Sequence, residues 1–506
     1  MRTRNSIINT LVSTVMSVVT ILIGFISQKV FISIIGTEYL GLNGLFNNIL
    51  SILSVAELGF GTAIVFNLYR PIAENDTDKI NKLLCYYKKI YFYVFICVSI
   101  LGLIILPFIP YIVGKTSIVN LRFLFLLALI EVSVSYLLTY KRSILYADQK
   151  NYIVNIVHII YVIILNVSQI CVLITTKNYI LYLLIKIICR ILENIVINMY
   201  VNKKYKYLQN TSDDLDDLTK DNITSKVKGL LFHNIGAAMV QGTDNILISN
   251  MFGIVKVGLY SNYFIITNAI NSLITQIFQS ITSSVGNLLI EEDSDKIYSI
   301  YKNMLFLNAY IYTVASICIM CGISDFIKIW LGDSYLLDFN VLMWIVISFF
   351  ITGMKKTNST FKNAAGIFYE DRFVPIFEAI VNIVMSIVFG KLFGLSGIFM
   401  GTITSSFFLI LYSYPILVYK NLFHKNYFSY FIDNFKYFTL FGVINILNYY
   451  LSQYIIFVNP LITFVVKMIV SIINVSLVYL IIFYKSNEVY YYRDILIKSL
   501  KNRLIK

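Results

Sequence analysis

Residues 36–42 read GTEYLGL and residues 253–259 read GIVKVGL, so a Gly-x4-Gly-Leu motif occurs twice, 217 positions apart. A second motif follows each copy at the same offset, ENDTDKI at residues 74–80 and EEDSDKI at residues 291–297. Two separated motifs that share one offset indicate an ungapped internal duplication. The first motif lies at the turn of a predicted helical hairpin, and the second lies just past its second helix.

The duplication lies in a chain that is poor in charge. Of its 506 residues, 58% are apolar and 13% are charged, and the mean hydropathy is +0.75. An average soluble domain has about 25% charged residues, so this chain cannot cover a soluble globule of its size with polar surface. A soluble enzyme, a nucleic-acid-binding protein and a disordered protein are therefore disfavoured, and a multi-span membrane protein remains.

Apolar stretches of about 20 residues predict an all-α membrane protein with about fourteen transmembrane helices. The offset of the duplication equals six helices, an even number, so the two halves have the same orientation in the membrane. We predict two repeated six-helix lobes and two further helices. The predicted segments are an N-lobe at 1–201, a polar cytoplasmic linker at 202–227, a C-lobe at 228–420, helices thirteen and fourteen within 421–484, and a basic amphipathic tail at 485–506.

The net charge of +14 follows from an uneven distribution of basic residues. Most of the 41 lysines and arginines fall in alternate connections, which predicts that both termini are cytoplasmic. Arg142 is assigned to one of these connections, and Lys355, Lys356 and Lys362 are assigned to another. The excess of positive charge thus sets topology and requires no nucleic-acid partner. Five basic residues remain within predicted spans, namely Lys29, Arg122, Lys186, Arg190 and Lys467.

Several stretches of the chain match a known family. The matching stretches are GTEYLGLNGLF at 36–46, LSVAELGFG at 53–61, LYRPIA at 68–73, ADQK at 147–150 and NAAG at 363–366. They resemble Wzx-type flippases, the polysaccharide transport family of the multidrug/oligosaccharidyl-lipid/polysaccharide (MOP) exporter superfamily. The resemblance covers essentially the whole chain, and its N-terminal hairpin is the most specific part.

The resemblance implies a MATE-like V of two six-helix lobes with two extra C-terminal helices. It implies a non-enzymatic transporter without a cofactor in the bacterial plasma membrane. The implied substrate is an undecaprenyl-diphosphate-linked oligosaccharide, moved from the inner to the outer leaflet for capsule, O-antigen or exopolysaccharide synthesis. Alternating access coupled to an H⁺ or Na⁺ gradient is expected from the superfamily. The implied partners are membrane lipids and the polymerase and glycosyltransferases of the same pathway.

Ionisable residues within the predicted spans are candidates for substrate binding, because a diphosphate that crosses the membrane needs cations to meet it. Lys186, Arg190 and Glu193 share a helix face by their i, i+4 and i+3 spacing, about 12 to 22 Å from the outer end of their span. Lys186 and Arg190 either meet the diphosphate or are neutralised within the lobe. Lys29 and the adjacent Gln28 either line the cleft or point towards the outer interface.

A second group of polar residues is a candidate for ion coupling or for the lining of a polar cleft. Glu57 lies in the family-like Ala-Glu-Leu-Gly context and either binds a coupling ion or pairs with a nearby cation. Asp244, Gln241 and Asn245 form a polar stripe on the seventh span. Glu131 either neutralises the cations of the sixth span or serves as an alternative proton site.

Two other functions stay open at this stage. A multidrug or cation exporter of the related MATE branch would favour an acidic, aromatic cavity over a cationic one. A polysaccharide polymerase or ligase would require a long outward loop with catalytic residues, and no nucleophile–base pair stands out. The sequence predicts no metal site, because Cys318-x-x-Cys321 lacks a second pair and is read as small buried apolar residues.

Overall fold

The computed structural model describes residues 2–57, 60–208, 215–367 and 370–504. These residues are almost entirely helical and form two compact units, Met1–Ser261 and Asn262–Lys506. The division falls inside one long helix, whose first turns pack with the first unit. We call these unit 1 and unit 2.

The described residues of unit 1 form ten α-helices and the start of an eleventh. The helices are α1 (Arg2–Ile35), α2 (Thr37–Leu53), α3 (Phe60–Glu74), α4 (Thr77–Ile105), α5 (Ile109–Val113), α6 (Leu121–Ser135), α7 (Arg142–Ala147), α8 (Asn151–Thr176), α9 (Tyr179–Lys204), α10 (Asp217–Phe252) and α11 (Ile254–Glu291). Short 3-10 segments at Ser54–Glu57, Leu106–Phe108 and Thr139–Lys141 follow α2, α4 and α6. Glu57 therefore lies at a break in the second predicted span.

Unit 2 contains the remainder of α11 and seven further helices. These are α12 (Ser294–Trp330), α13 (Phe339–Ala364), α14 (Val374–Phe393), α15 (Leu395–Phe408), α16 (Tyr427–Gln453), α17 (Pro460–Phe483) and α18 (Asn487–Leu504). Two π-helical segments, Leu409–Ser413 and Pro415–Lys420, continue α15. The predicted tail at 485–506 thus contains a helix, α18.

Among the described residues, ten helices are long and apolar enough to cross a membrane. The chain is therefore a multi-pass, all-helical membrane protein, as predicted. The count of fourteen spans is not confirmed. Four expected spans lie outside the ten: the interrupted α2–α3 pair, the charged α9, the polar α10, and α16.

The polar segment after α9 is shorter than predicted. The linker was expected over 202–227, but α10 begins at Asp217, where Asp216 caps it by accepting a hydrogen bond from Thr219 N at 2.9 Å. Helix α10 then packs against α2, α3 and α5. The first of the two compact units ends at Ser261.

The duplicated glycines occupy equivalent backbone positions in the two copies. Gly36 joins α1 to α2 with a φ of 95°, and Gly253 joins α10 to α11 with a φ of 88°. L-residues with a side chain rarely adopt such angles, whereas glycine adopts them at little cost. The first motif therefore encodes the same sharp connection twice.

The second duplicated motif encodes a helix N-cap. Asp76 accepts a hydrogen bond from Lys79 N at the start of α4, and Asp293 accepts one from Lys296 N at the start of α12, both at 3.0 Å. An aspartate at this position satisfies a backbone N–H that has no partner within the helix. Both motifs thus have the same structural role in each copy.

Helices α2 and α11 cross closely within unit 1. A Cβ built on Gly41 would collide with the carbonyl of Ile254, and one built on Gly258 would collide with the carbonyl of Thr37. Gly258 and Ile254 lie 217 positions after Gly41 and Thr37, so the two contacts are copies of each other. Only glycine lets the two backbones approach this closely.

In unit 2, aromatic side chains surround a carboxylate. Asp433 on α16 accepts hydrogen bonds from Tyr298 Oη at 2.5 Å and Tyr419 Oη at 3.0 Å. Tyr301 packs against Phe423 with a ring-centroid distance of 4.9 Å. These contacts join α12, α16 and the π-helical end of α15.

Alanine at Gly41 or Gly258 is expected to destabilise the protein, because the added Cβ would strike backbone atoms at the crossing of α2 and α11. Overpacking of this kind costs about 1–3 kcal/mol. Thermal unfolding of purified protein in detergent should therefore begin at a lower temperature in either variant. Gly286→Ala is the matched control, since its Cβ would meet nothing within 4 Å. Unfolding temperatures equal to that of the control would contradict the prediction.

Candidate functional site

The three charged residues predicted on one face of α9 do lie together in unit 1. Glu131 on α6 receives both cations, with Lys186 Nζ 3.2 Å from its Oε2 and Arg190 Nε 3.1 Å from its Oε1. Arg190 Nη1 also lies 2.6 Å from Oε2 of Glu193. The structure therefore brings four predicted site residues into one network across α6 and α9.

Glu193 is the most enclosed member of this network, with no exposed side-chain surface. Its Oε1 lies 2.9 Å from His158 Nδ1 on α8 and 3.4 Å from Arg142 Nη2 on α7. Arg142 Nη2 also donates a hydrogen bond to Asn194 Oδ1 at 2.6 Å. One buried carboxylate thus joins three helices.

Glu57 is linked to the same group of residues. Its carboxylate lies near the hydroxyls of Tyr91 and Tyr136 and close enough to Arg142 for their charges to interact. Arg142 therefore forms an ion pair with Glu193 and interacts with Glu57 at longer range. We call the whole group the N-unit ion cluster, which consists of Glu57, Glu131, Arg142, His158, Lys186, Arg190 and Glu193.

The N-unit ion cluster balances three permanent cations against three carboxylates. The exposed fraction is small for the carboxylates of Glu131 (6%) and Glu193 (0%) and larger for Lys186 (25%) and Arg190 (22%). Arg190 also lies over the ring of Tyr161, with 4.6 Å from its Cζ to the ring centroid. The carboxylates are thus enclosed, while the two cations of α9 keep part of their side-chain surface exposed, which we call the accessible edge.

Sequence reasoning missed the role of Arg142. Its position suggested a topological residue in a cytoplasmic connection, but the structure pairs it with Glu193 and brings its charge near Glu57. His158 on α8 also takes Glu193 as its partner. No local pattern could reveal these pairs, since their members are separated by 35 residues or more.

The remaining predicted residues lie elsewhere. Lys29 is exposed on α1, and no ion pair in the described part of the chain involves it. Gln28 is half-buried beside it. Asp244 on α10 lies close enough to Tyr260 for their charges to interact. Asn245 is buried, and its Nδ2 lies near Gly44 of α2. The side chain of Gln241 lies outside the described residues.

Unit 2 buries ion pairs of its own, and these correct the assignment of its lysines. Lys355 and Lys362 were predicted in a cytoplasmic connection, but both lie within α13. Lys355 Nζ lies 3.0 Å from Glu378 Oε1 on α14 and 3.0 Å from Ser406 Oγ on α15. Lys362 pairs with the buried Asp371. The last turns of α13 therefore carry structural cations, which a count of charges along the sequence cannot distinguish from loop residues.

No group of three or more potential metal ligands occurs among the described His, Cys, Asp and Glu residues. Cys321 is buried and Cys318 is half-buried, and both thiols are free. The site is therefore best described by its ion pairs.

Solved structures with a similar fold are transporters and flippases. The lipid II flippase MurJ in an inward closed conformation superimposes with a TM-score of 0.65 at 13% identity, over 93% of this chain and 98% of that chain. An inward-facing multidrug resistance MATE family transporter of the MOP superfamily gives 0.60 at 14% identity, over 78% and 94%. A MOP superfamily transporter from Pyrococcus furiosus gives 0.54 at 14% identity, over 79% and 92%.

The chain therefore has the fold of MOP superfamily transporters. No protein-family model and no curated protein sequence matches it. The fold that the resemblance implied is confirmed, and membership of the MOP superfamily and of its polysaccharide transport branch stays a prediction.

Arg142→Met and Glu193→Gln are each expected to destabilise the protein, because each leaves a buried charge with one partner fewer. Breaking such a pair costs about 3–5 kcal/mol. The double variant removes both charges, so its loss should be smaller than the sum of the single losses. Thermal unfolding of the wild type, the two single variants and the double variant gives the coupling energy between Arg142 and Glu193. Arg70→Met, which removes the exposed pair with Glu74, should change little. Additive single effects would contradict the pairing.

Proposed function

We propose that the protein is a flippase that moves undecaprenyl-diphosphate-linked oligosaccharides from the inner to the outer leaflet of the bacterial plasma membrane. The observation that carries the proposal is the accessible cationic edge of Lys186 and Arg190 in the middle of α9. The N-terminal hairpin motif and the MOP superfamily fold support it. Both termini lie in the cytoplasm on this proposal, as the distribution of basic residues predicts.

The substrate itself explains why such an edge is needed. Its polyprenyl tail stays in lipid, but its diphosphate must pass a hydrocarbon core about 30 Å thick. On this proposal α9 spans the membrane. Lys186 and Arg190 lie about 12 and 18 Å along it from its N-cap residue Asn178, so they fall deep within the bilayer. Cations at that depth offer a phosphate the charge-assisted hydrogen bonds that it loses on leaving water.

The carboxylates of the N-unit ion cluster hold these cations while no substrate is bound. Glu131 pairs with both Lys186 and Arg190, so neither cation is left bare in an apolar surrounding. When a diphosphate binds, it competes with Glu131 for the same N–H donors. The carboxylate that is displaced then needs a new positive charge, which a proton or Na⁺ from the coupling gradient supplies. Glu57, Glu193 and Asp244 are further candidates for that ion.

A multidrug or cation exporter is the second candidate, because MATE family transporters share the fold. The N-unit ion cluster favours the flippase, since its carboxylates are enclosed and its cations form the accessible edge. An exporter of cationic drugs would require the opposite arrangement. The polymerase and glycosyltransferases that make and use the lipid-linked oligosaccharide are the expected functional partners.

Purified protein in liposomes is expected to accelerate the exchange of a fluorescent undecaprenyl-diphosphate-linked oligosaccharide between leaflets. Exchange should be faster with an inward H⁺ or Na⁺ gradient than without one. Empty liposomes and liposomes with a fluorescent cationic drug are the controls. Exchange equal to that of empty liposomes under every gradient would reject the flippase, and gradient-driven uptake of the drug alone would favour the exporter.

The double variant Lys186→Gln/Glu131→Gln separates a substrate role from a structural role. It replaces an ion pair with two neutral side chains, so the cluster stays balanced and the protein should fold. We expect leaflet exchange to fall by about tenfold or more, the effect of losing one charge-assisted hydrogen bond of about 1.5–3 kcal/mol.

The matched control is Lys467→Gln/Asp325→Asn, which neutralises an ion pair of 2.7 Å between α17 and α12. This control should retain exchange. Wild-type exchange in the Lys186→Gln/Glu131→Gln variant, with unchanged thermal unfolding, would assign Lys186 to packing alone.

A further inference from the structure

A polar cavity of about 250 Å³ lies in unit 1, apart from the N-unit ion cluster. Three elements enclose it: the first turns of α4, the 3-10 segment Thr139–Lys141 and the last turn of α9. Its polar and reactive lining residues are Asn81, Cys85, Lys88, Tyr140, Lys141 and Asn202. No described carboxylate lines it. We call it the lysine cavity.

The two ammonium groups of the lysine cavity are not neutralised by described carboxylates. Lys141 Nζ donates a hydrogen bond to Asn202 Oδ1 at 2.6 Å, which uses one of its three N–H donors. Lys88 is exposed and has no ion pair in the described part of the chain. Two like charges that share a cavity repel each other, so an anion between them would lower the energy of both.

Carboxylates near this end of unit 1 are engaged with other groups. Asp148 pairs with Lys150 and accepts a hydrogen bond from Tyr205 Oη at 2.5 Å. Asp78 pairs with Lys82 at 2.8 Å. Among the described residues, therefore, no carboxylate forms an ion pair with Lys88 or Lys141.

The position of the lysine cavity along its helices is typical of the lipid headgroup level. Lys88 and Lys89 are the last charged residues of α4 before the uncharged stretch 90–113, and Lys203 and Lys204 end α9 next to the lining residue Asn202. Lysines at such a boundary lie at the headgroup level. Basic pockets between helices at this level suit anionic headgroups.

We propose that the lysine cavity binds the phosphate group of a membrane lipid. The ammonium groups of Lys88 and Lys141 and the amide nitrogen of Asn202 supply donors for phosphate oxygens, while Tyr140 closes one side. The phosphate belongs either to a bilayer phospholipid or to a polyprenyl carrier. Only the second source rests on the proposed function.

Cys85 lines the cavity and provides a native reporter of its occupancy. The full chain with Cys85 as its sole cysteine is reconstituted in nanodiscs of neutral phosphatidylcholine, with increasing fractions of phosphatidylglycerol in one arm and undecaprenyl phosphate in the other. The rate at which a small uncharged maleimide alkylates Cys85 is measured. A bound phosphate should slow alkylation in at least one arm. Protection by phosphatidylglycerol identifies a bilayer phospholipid, and protection by undecaprenyl phosphate alone identifies the carrier.

The variant Lys88→Gln/Lys141→Gln should need about tenfold more lipid for half-protection of Cys85, which corresponds to about 1.4 kcal/mol. Lys203→Gln/Lys420→Gln removes the same charge outside the cavity and should behave like the parent. If the double variant folds poorly, the exposed Lys88→Gln alone should show a smaller shift in the same direction.

Protection by neither lipid, or equal protection in the parent and in the cavity variants, would overturn the proposal. These outcomes are independent of leaflet exchange. A protein that fails to flip but still shows lysine-dependent protection by phosphatidylglycerol would reject the flippase and keep the site.

Discussion

The enclosed carboxylate of Glu193 is the point at which α7, α8 and α9 are joined. Arg142, His158 and Arg190 approach its two oxygens from these three helices, and Arg190 extends the network to Glu131 on α6. An unpaired charge among apolar helices is costly, so these helices must keep a register that satisfies every oxygen. The arrangement of this half of unit 1 therefore depends on a set of ion pairs rather than on apolar contacts alone.

Both copies of the duplicated segment use buried ion pairs to join their helices, but the paired residues differ between the copies. The two copies share their sharp connections and their N-caps. In addition, Gly44 on α2 lies beside Ser261 on α11, its counterpart 217 positions later, so equivalent positions of the two copies meet where these helices cross. In unit 2, Lys355 on α13 contacts Glu378 on α14 and Ser406 on α15. At the offset of 217 positions, α14 and α15 correspond to α8 and α9, and α13 corresponds to α6 and α7 together. The Lys355–Glu378 pair is more deeply buried than the cations of α9. Of these described ion pairs, those of α9 in unit 1 thus have the more accessible cations.

The sequence was sufficient where one helix or one turn carries the information. The spacing of Lys186, Arg190 and Glu193 placed them on one face, and the two glycine motifs predicted equivalent hairpins. The sequence was insufficient to predict contacts between elements that are distant along the chain. Arg142 was read as a topological residue because its partners are remote in sequence. The predicted span at α9 is not among the ten apolar helices because its internal charges lower its hydropathy. The lysine cavity was missed for the same reason, since three distant segments enclose it.

Charge balance links the two proposals for substrate and coupling. The N-unit ion cluster has three cations and three carboxylates, so it is neutral when His158 is neutral. An anionic diphosphate that takes Lys186 or Arg190 as its partner leaves a buried carboxylate in excess. Transfer of that excess charge across a bilayer is costly, and a proton on a released carboxylate or on His158 removes the cost. On this proposal, ion coupling is a direct consequence of how the cations are held before the substrate arrives.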